Sequence, residues 1–133
     1  MTVPSIMLVD DEVSFVETMA KRLTKRKFAT ITAFSAEEGL EKLAANQDLD
    51  IIVLDIKMPG MDGIAALKEI KKVSPLTEVI MLTGHATIES AIEGMKLGAY
   101  DFLRKPCDFE ELVGQLEGAT RKKRAHEKKI DAW

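Results

Sequence analysis

The sequence predicts a doubly wound α/β domain, built as (βα)5 around a five-stranded parallel sheet, and three observations carry the prediction. Short apolar runs rich in β-branched residues alternate with longer stretches of helical periodicity. The runs are continuously apolar rather than alternating, which marks strands covered on both faces. Two of them, Ile6-Met7-Leu8-Val9 and Ile51-Ile52-Val53-Leu54, run straight into Asp10-Asp11 and Asp55. In a parallel sheet these three acids gather at the carboxyl edge, where open α/β sheets bind their ligands.

The predicted strands are Ile6 to Val9, Ala29 to Ala33, Asp50 to Leu54, Glu78 to Leu82 and Tyr100 to Leu103. Between the first two, Val16, Met19, Ala20 and Leu23 mark one helical face. Ser35 with Glu38 reads as a capping box opening a second helix, which carries Leu40, Leu43 and Ala44. Ile64, Leu67 and Ile70 stripe a third helix, and Ile88, Ala91, Ile92 and Met95 a fourth. Asp108 with Glu111 starts a fifth, bearing Leu112, Val113 and Leu116. Right-handed crossovers place helices on both faces. The common strand order for five strands, 2-1-3-4-5, makes strands 1 and 3 neighbours at the topological switch point.

A chain of 133 residues is the size of one domain and can bury roughly two thirds of its unfolded surface without disulfide or metal staples. Hydrophobic residues at 46% and charged residues at 31% match a soluble globular protein, and a single cysteine, Cys107, rules out an internal disulfide. No apolar stretch approaches the roughly 18 residues of a membrane span, and the start lacks the pattern of a signal peptide. A cytoplasmic protein is expected. The net charge of −3 is unevenly spread: residues 121–133 hold six lysines and arginines against Glu127 and Asp131, a net +4, which leaves −7 on residues 1–120. Such a body repels nucleic acid.

Three carboxylates a few ångströms apart repel one another, and a cation resolves the conflict. Oxygen donors without His or Cys favour Mg²⁺, with Mn²⁺ as the alternative, over zinc. Mg²⁺ keeps places for water and phosphate, so a phosphoryl substrate is expected. Strand 4 ends in Leu82-Thr83-Gly84 and strand 5 in Leu103-Arg104-Lys105-Pro106, supplying a hydroxyl and an ammonium of the kind that position and neutralise a phosphoryl group. Taken singly, Thr83 also reads as a helix N-cap, Lys105 as a solvated surface residue, and Pro106 as the opening of helix 5.

With Val9-Asp10-Asp11-Glu12, Leu54-Asp55-Ile56-Lys57-Met58-Pro59-Gly60-Met61-Asp62-Gly63, Met81-Leu82-Thr83-Gly84-His85 and Lys105-Pro106 in this order, each at a strand end, the sequence resembles the receiver domain of two-component response regulators. The likeness covers residues 4 to 120. It implies a flavodoxin-like fold and a phosphorylation-activated switch rather than an enzyme, with Asp55 accepting a phosphoryl group from a phosphohistidine on a sensor histidine kinase or phosphotransfer protein. It implies Mg²⁺ on Asp10, Asp11, Asp55 and the backbone carbonyl of Lys57. Thr83 and the Gly84 amide would hold phosphoryl oxygens, and Lys105 would pair with the phosphate. Pro106 would follow a cis peptide. Thr83 and Phe102 would be the mobile switch residues, with helix 4, strand 5 and helix 5 as output face. Gly94 and Gly98 lower helix rigidity there in a way that eases rearrangement, and Gly98 reads equally well as a helix C-cap before strand 5. Lys57 and His85 sit where receivers tune phosphate loss, and slow autodephosphorylation is expected.

The competing reading is a Mg²⁺-dependent phosphohydrolase with Asp55 as nucleophile. It is disfavoured because haloacid-dehalogenase-like enzymes carry a second Asp two residues on, where this chain has Lys57. The expected organisation is a receiver domain over residues 1–120, then a basic extension of helix 5 or the start of a linker over 121–133, without direct nucleic-acid or membrane contact. A role in transcription regulation and a phosphorylation-dependent homodimer are compatible with this reading. Cys107 and the methionines read as packing residues, and His126 as a solvated bystander.

Overall fold

A computed structural model describes residues 3–84 and 87–132. Its elements alternate strictly: β1 (Ser5–Val9), α1 (Val13–Lys25), β2 (Ala29–Ala33), α2 (Ala36–Ala45), β3 (Ile51–Leu54), α3 (Gly63–Val73), β4 (Glu78–Thr83), α4 (Ile88–Lys96), β5 (Asp101–Arg104) and α5 (Phe109–Asp131). All pairings are parallel, in the order β2-β1-β3-β4-β5. The expected topology is the one observed.

Successive residues of a strand point to opposite faces, so a strand apolar throughout feeds two cores. Met7, Val9, Ile52, Leu54, Val79 and Met81 face α2 and α3, where they meet Leu43, Ala66, Leu67 and Ile70. Ile6, Leu8, Ile51, Val53, Ile80 and Leu82 face α1 and α5, against Val16, Leu23, Leu112 and Leu116. Leu23 and Leu67 are fully buried, and each such side chain contributes about 1.5–3 kcal/mol relative to exposure.

Local chemistry sets the helix ends. The Ser35 hydroxyl accepts the Glu38 N–H at 3.1 Å, but Glu38 turns its carboxylate to the N–H of Phe34 at 2.6 Å rather than to that of Ser35, so the expected box is shifted by one residue. Asp108 accepts the Glu111 N–H at 3.1 Å. Thr83 lies inside β4 and is not a helix cap; α4 is opened by Thr87, in a reciprocal box with Ser90. Gly98, with φ +102°, follows the last turn of α4 in the left-handed conformation that ends helices.

The apolar stripe of α4 does not face the core. Ile88 is 81% exposed, Ile92 51% and Met95 46%; Gly94 is the buried residue of this helix. A Cβ at Gly94 would stand 2.2 Å from the Met81 methyl, so the helix rests on the sheet through a glycine and a methionine side chain. Its isoleucines are turned outward.

At the amino edge of the sheet, α5 runs past the strands and closes on two buried acids. Asp50, just before β3, accepts the Ser5 N–H at 2.9 Å and pairs with Lys123 at 3.3 Å and Arg124 at 3.2 Å. Lys123 is itself buried and reaches Glu127 at 3.1 Å. Glu78, which opens β4, is met by Lys71 at 3.4 Å and Lys122 at 3.2 Å. Among the described residues, no helix is long and apolar enough to cross a membrane.

Candidate functional site

The switch point lies between β1 and β3, where Val9 and Leu54 are register partners. The residues just beyond them leave the sheet side by side, and the Asp55 N–H donates to the Val9 carbonyl at 3.0 Å. Asp10 and Asp55 are therefore buried and Asp11 is exposed, with carboxylate oxygens of all three within 4.8 Å of one another. This close set of hard oxygen donors fits a cation such as Mg²⁺ and lacks the nitrogen or sulfur ligands that zinc prefers.

Asp10 is held at both oxygens. Oδ1 accepts the Glu12 N–H at 2.9 Å, and Oδ2 accepts the Lys105 ammonium at 2.6 Å. Burial nonetheless lifts its carboxyl above the usual range, against the lowering effect of Lys105 and the Glu12 N–H. Lys105 reaches the corner because the strand order brings β5 to the edge beside β4: its N–H donates to the Thr83 carbonyl at 3.0 Å. Burial works against its charge, but the hydrogen bonds it donates to Asp10 and Glu12 outweigh that and hold the ammonium above its ordinary range.

The loop after Asp55 is pressed against the corner by Gly63. Its N–H donates to the Ile56 carbonyl at 2.6 Å, and a Cβ there would lie 2.3 Å from the Asp55 carbonyl oxygen, so only glycine lets α3 start at this point. Gly60, with φ +78°, makes the turn before it. The Lys57 N–H approaches Asp55 Oδ1 at 3.4 Å.

Thr83 is fully buried at the end of β4, and Gly84 comes next in an exposed position, where a Cβ would stand 3.9 Å from Lys105 Cβ. Phe102 is half-buried on β5, register partner of Met81, and packs on the core of the α2–α3 face. The Lys105–Pro106 peptide is cis. His85 and Trp133 lie outside the described residues. Cys107 is half-buried, and burial pushes its thiol up, away from the reactive thiolate.

Asp10, Asp11, Asp55, Thr83, Gly84 and Lys105 thus come together at one edge, with Lys57 on the adjoining loop and Phe102 one layer behind. Sequence reasoning missed Glu12, which takes Lys105 at 3.0 Å, and Phe15, whose ring lies 4.2 Å from the same ammonium. Glu12 closes the motif after strand 1, but nothing local links it to a residue 93 positions away. Gly63 reads in the sequence as one turn former among several; its close approach to Asp55 is visible only in three dimensions.

The family model for the response regulator receiver domain matches residues 6–117. The chain is 38% identical over 127 residues to the transcriptional regulatory protein ZraR of Escherichia coli, covering 96% of this chain and 28% of that protein. It is 37% identical over 114 residues to the DNA-binding transcriptional regulator NtrC of Escherichia coli, covering 86% of this chain and 24% of that one. The chain therefore spans about a quarter of the length of these curated relatives. Among solved structures, it is similar to a receiver domain protein from Clostridium thermocellum, with a TM-score of 0.88 and 35% identity over 92% of this chain and 98% of that one. It is also similar to NtrX from Brucella abortus, with a TM-score of 0.88 and 34% identity over 99% of this chain and 30% of that one.

Proposed function

The chain belongs to the response regulator receiver family, the phosphorylation-activated switches of two-component signalling, and from that premise we propose that Asp55 is its phosphoacceptor. One observation supports this above the others: Asp55 is the buried acid at the end of β3, with Asp10 and Asp11 beyond the end of β1 on one side, Thr83 and Gly84 at the end of β4 on the other, and Lys105 reaching across to Asp10. An Asp55 oxygen attacks the phosphorus of a phosphohistidine on a sensor kinase or phosphotransfer protein. The bond from phosphorus to the imidazole nitrogen breaks, its electron pair leaves with the ring, and an acyl phosphate remains on Asp55.

Asp10, Asp11, Asp55 and the Lys57 carbonyl would hold Mg²⁺, or Mn²⁺ in its place, which would supply the positive charge that lets an anionic carboxylate meet an anionic phosphoryl group. The chain's own groups do the rest. Lys105 pairs with a phosphoryl oxygen, and the Thr83 hydroxyl and Gly84 N–H take others. Hydrolysis of the acyl phosphate is slow because the position two residues after Asp55 carries Lys57, not a second carboxylate that could serve as base toward the attacking water. Nothing in the comparisons supports the phosphohydrolase reading, and the domain is regulatory.

Thr83 moving toward the phosphoryl group leaves space that Phe102 enters, and the change reaches α4, β5 and α5. The relatives named as transcriptional regulators are several times longer, so an output region in the same polypeptide, and transcription control through it, belong to this reading. So do a cytoplasmic location and a phosphorylation-dependent homodimer. The domain itself, acidic over residues 1–120, makes no direct nucleic-acid contact, and the basic residues from 121 onward serve as an extension of helix 5.

Intact mass after incubation with acetyl phosphate and Mg²⁺ tests the proposal. The parent protein gains one phosphoryl group; Asp55→Asn gains none, and chelation of the metal abolishes the adduct. An unmodified parent, or an equal adduct on Asp55→Asn, overturns it.

A further inference from the structure

The Lys105 ammonium has three close neighbours: it donates to Asp10 Oδ2 at 2.6 Å and to Glu12 Oε1 at 3.0 Å, and the centroid of the Phe15 ring stands 4.2 Å from the nitrogen. The side chain is 12% exposed, so little water competes for it. Asp10 belongs to the metal-binding corner, and its carboxylate is drawn to a cation whenever one is present. Glu12 is different. It lies one residue beyond the acid pair, its side chain is 58% exposed, and it makes no capping bond to α1. Its carboxylate has one partner among the described residues, and that partner is Lys105.

We infer that Glu12 is a positioning residue acting through Lys105: it holds the ammonium in a resting cradle against Phe15, and a phosphoryl group on Asp55 must take Lys105 from it. The inference rests on the reading of Asp55 as phosphoacceptor. Asp10 and Glu12 divide the work. The cation competes for Asp10, whereas Glu12 keeps its hold on Lys105 after the metal is in place and gives it up only to a stronger anion. A phosphoryl group, with more negative charge and three acceptor oxygens, is such an anion. Every receiver state that engages Lys105 therefore carries the cost of breaking one ion pair, and removing the Glu12 charge lowers that cost. Since Glu12 is half-exposed, the pair is worth what exposed ion pairs are worth, a factor of about two to five in a binding constant.

The test uses fluoroberyllate, a mimic of a carboxylate-bound phosphoryl group, titrated into the full chain with Mg²⁺ present. Glu12→Gln, which keeps size and removes charge, should bind it about two- to five-fold more tightly than the parent. Glu17→Gln, an exposed acid elsewhere on α1, should bind as the parent does. In ¹⁵N-lysine-labelled protein without fluoroberyllate, the Lys105 ammonium resonance should move in Glu12→Gln and stay in place in Glu17→Gln. A parent that fails to bind the mimic overturns the phosphoacceptor reading and this inference with it. A parent that binds, with Glu12→Gln unchanged or with equal gains in both variants, overturns the inference alone, since equal gains would mean a general charge effect. An unmoved Lys105 resonance overturns it as well.

Discussion

Asp50 and Glu78 at the amino edge of the sheet are each 4% exposed; Asp10 and Asp55 at the carboxyl edge are 4% and 3% exposed. Equal burial conceals opposite electrostatics. At the amino edge Lys71, Lys122, Lys123 and Arg124 come within ion-pair distance of Asp50, Glu78 and Glu127, so each of these acids has a cationic partner. At the carboxyl edge Asp10, Asp11 and Asp55 gather within 4.8 Å of one another, and the ammonium of Lys105 pairs with Asp10 and Glu12. A buried acid that the fold itself neutralises is a fastening. A cluster left with surplus negative charge is stable only in waiting for something positive, and this is what separates the site from the scaffold.

The largest expected effect breaks the balanced end. Lys123→Ala leaves Asp50 in a buried position with half its cationic partners gone, and removing one member of such a pair costs about 3–5 kcal/mol in urea denaturation. Asp55→Asn at the other end relieves repulsion and should leave stability unchanged or raise it. Equal losses at both ends would erase the distinction. The next effect fills the unbalanced end: Mg²⁺ at a hundred-fold excess over its dissociation constant should add about 2.7 kcal/mol to the unfolding free energy. Asp11→Asn should lose most of that increment, and Lys123→Ala, if the two ends are independent, should keep it.

A smaller effect probes how closely the backbone is fitted at each end. Gly63→Ala puts a methyl 2.3 Å from the Asp55 carbonyl oxygen and 2.5 Å from the Ile56 Cα, with an expected loss of about 1–3 kcal/mol and slower phosphorylation by acetyl phosphate. Gly114→Ala, in α5 with nothing within 4 Å of the new Cβ, should stabilise by about 0.5–1 kcal/mol. Both are read from denaturation midpoints. A neutral Gly63→Ala would show that the loop after Asp55 yields more readily than its contacts imply.

The fold was legible because its signals are local. Ile6 to Val9 and Ile51 to Leu54 are apolar throughout since both faces of each strand are covered, and Asp10, Asp11 and Asp55 stand at strand ends by simple adjacency in the chain. Helix α4 shows the limit of such signals. The spacing of Ile88, Ala91, Ile92 and Met95 marks an apolar face, but periodicity says nothing of what lies against it, and the close contact of Gly94 with Met81 turns that face outward. The basic run Arg121 to Arg124 shows the same limit from the other side. By composition it reads as a basic extension of helix 5 or the start of a linker, yet Lys122, Lys123 and Arg124 close on acids of the sheet.

The sequence by itself determined the order of strands and helices, the two-faced burial of the sheet and the convergence of three aspartates at its carboxyl edge, because periods of two and 3.6 residues and chain adjacency are written into it. The tertiary structure alone decided which buried carboxylates are compensated. Arg124 lies 74 residues from Asp50, with Lys123 beside it in the chain, and Lys105 lies 93 residues from Glu12, so their pairing depends on where α5 crosses one edge of the sheet and β5 reaches the other. Ion pairs form by proximity in space, and over such separations proximity comes only from the packed fold.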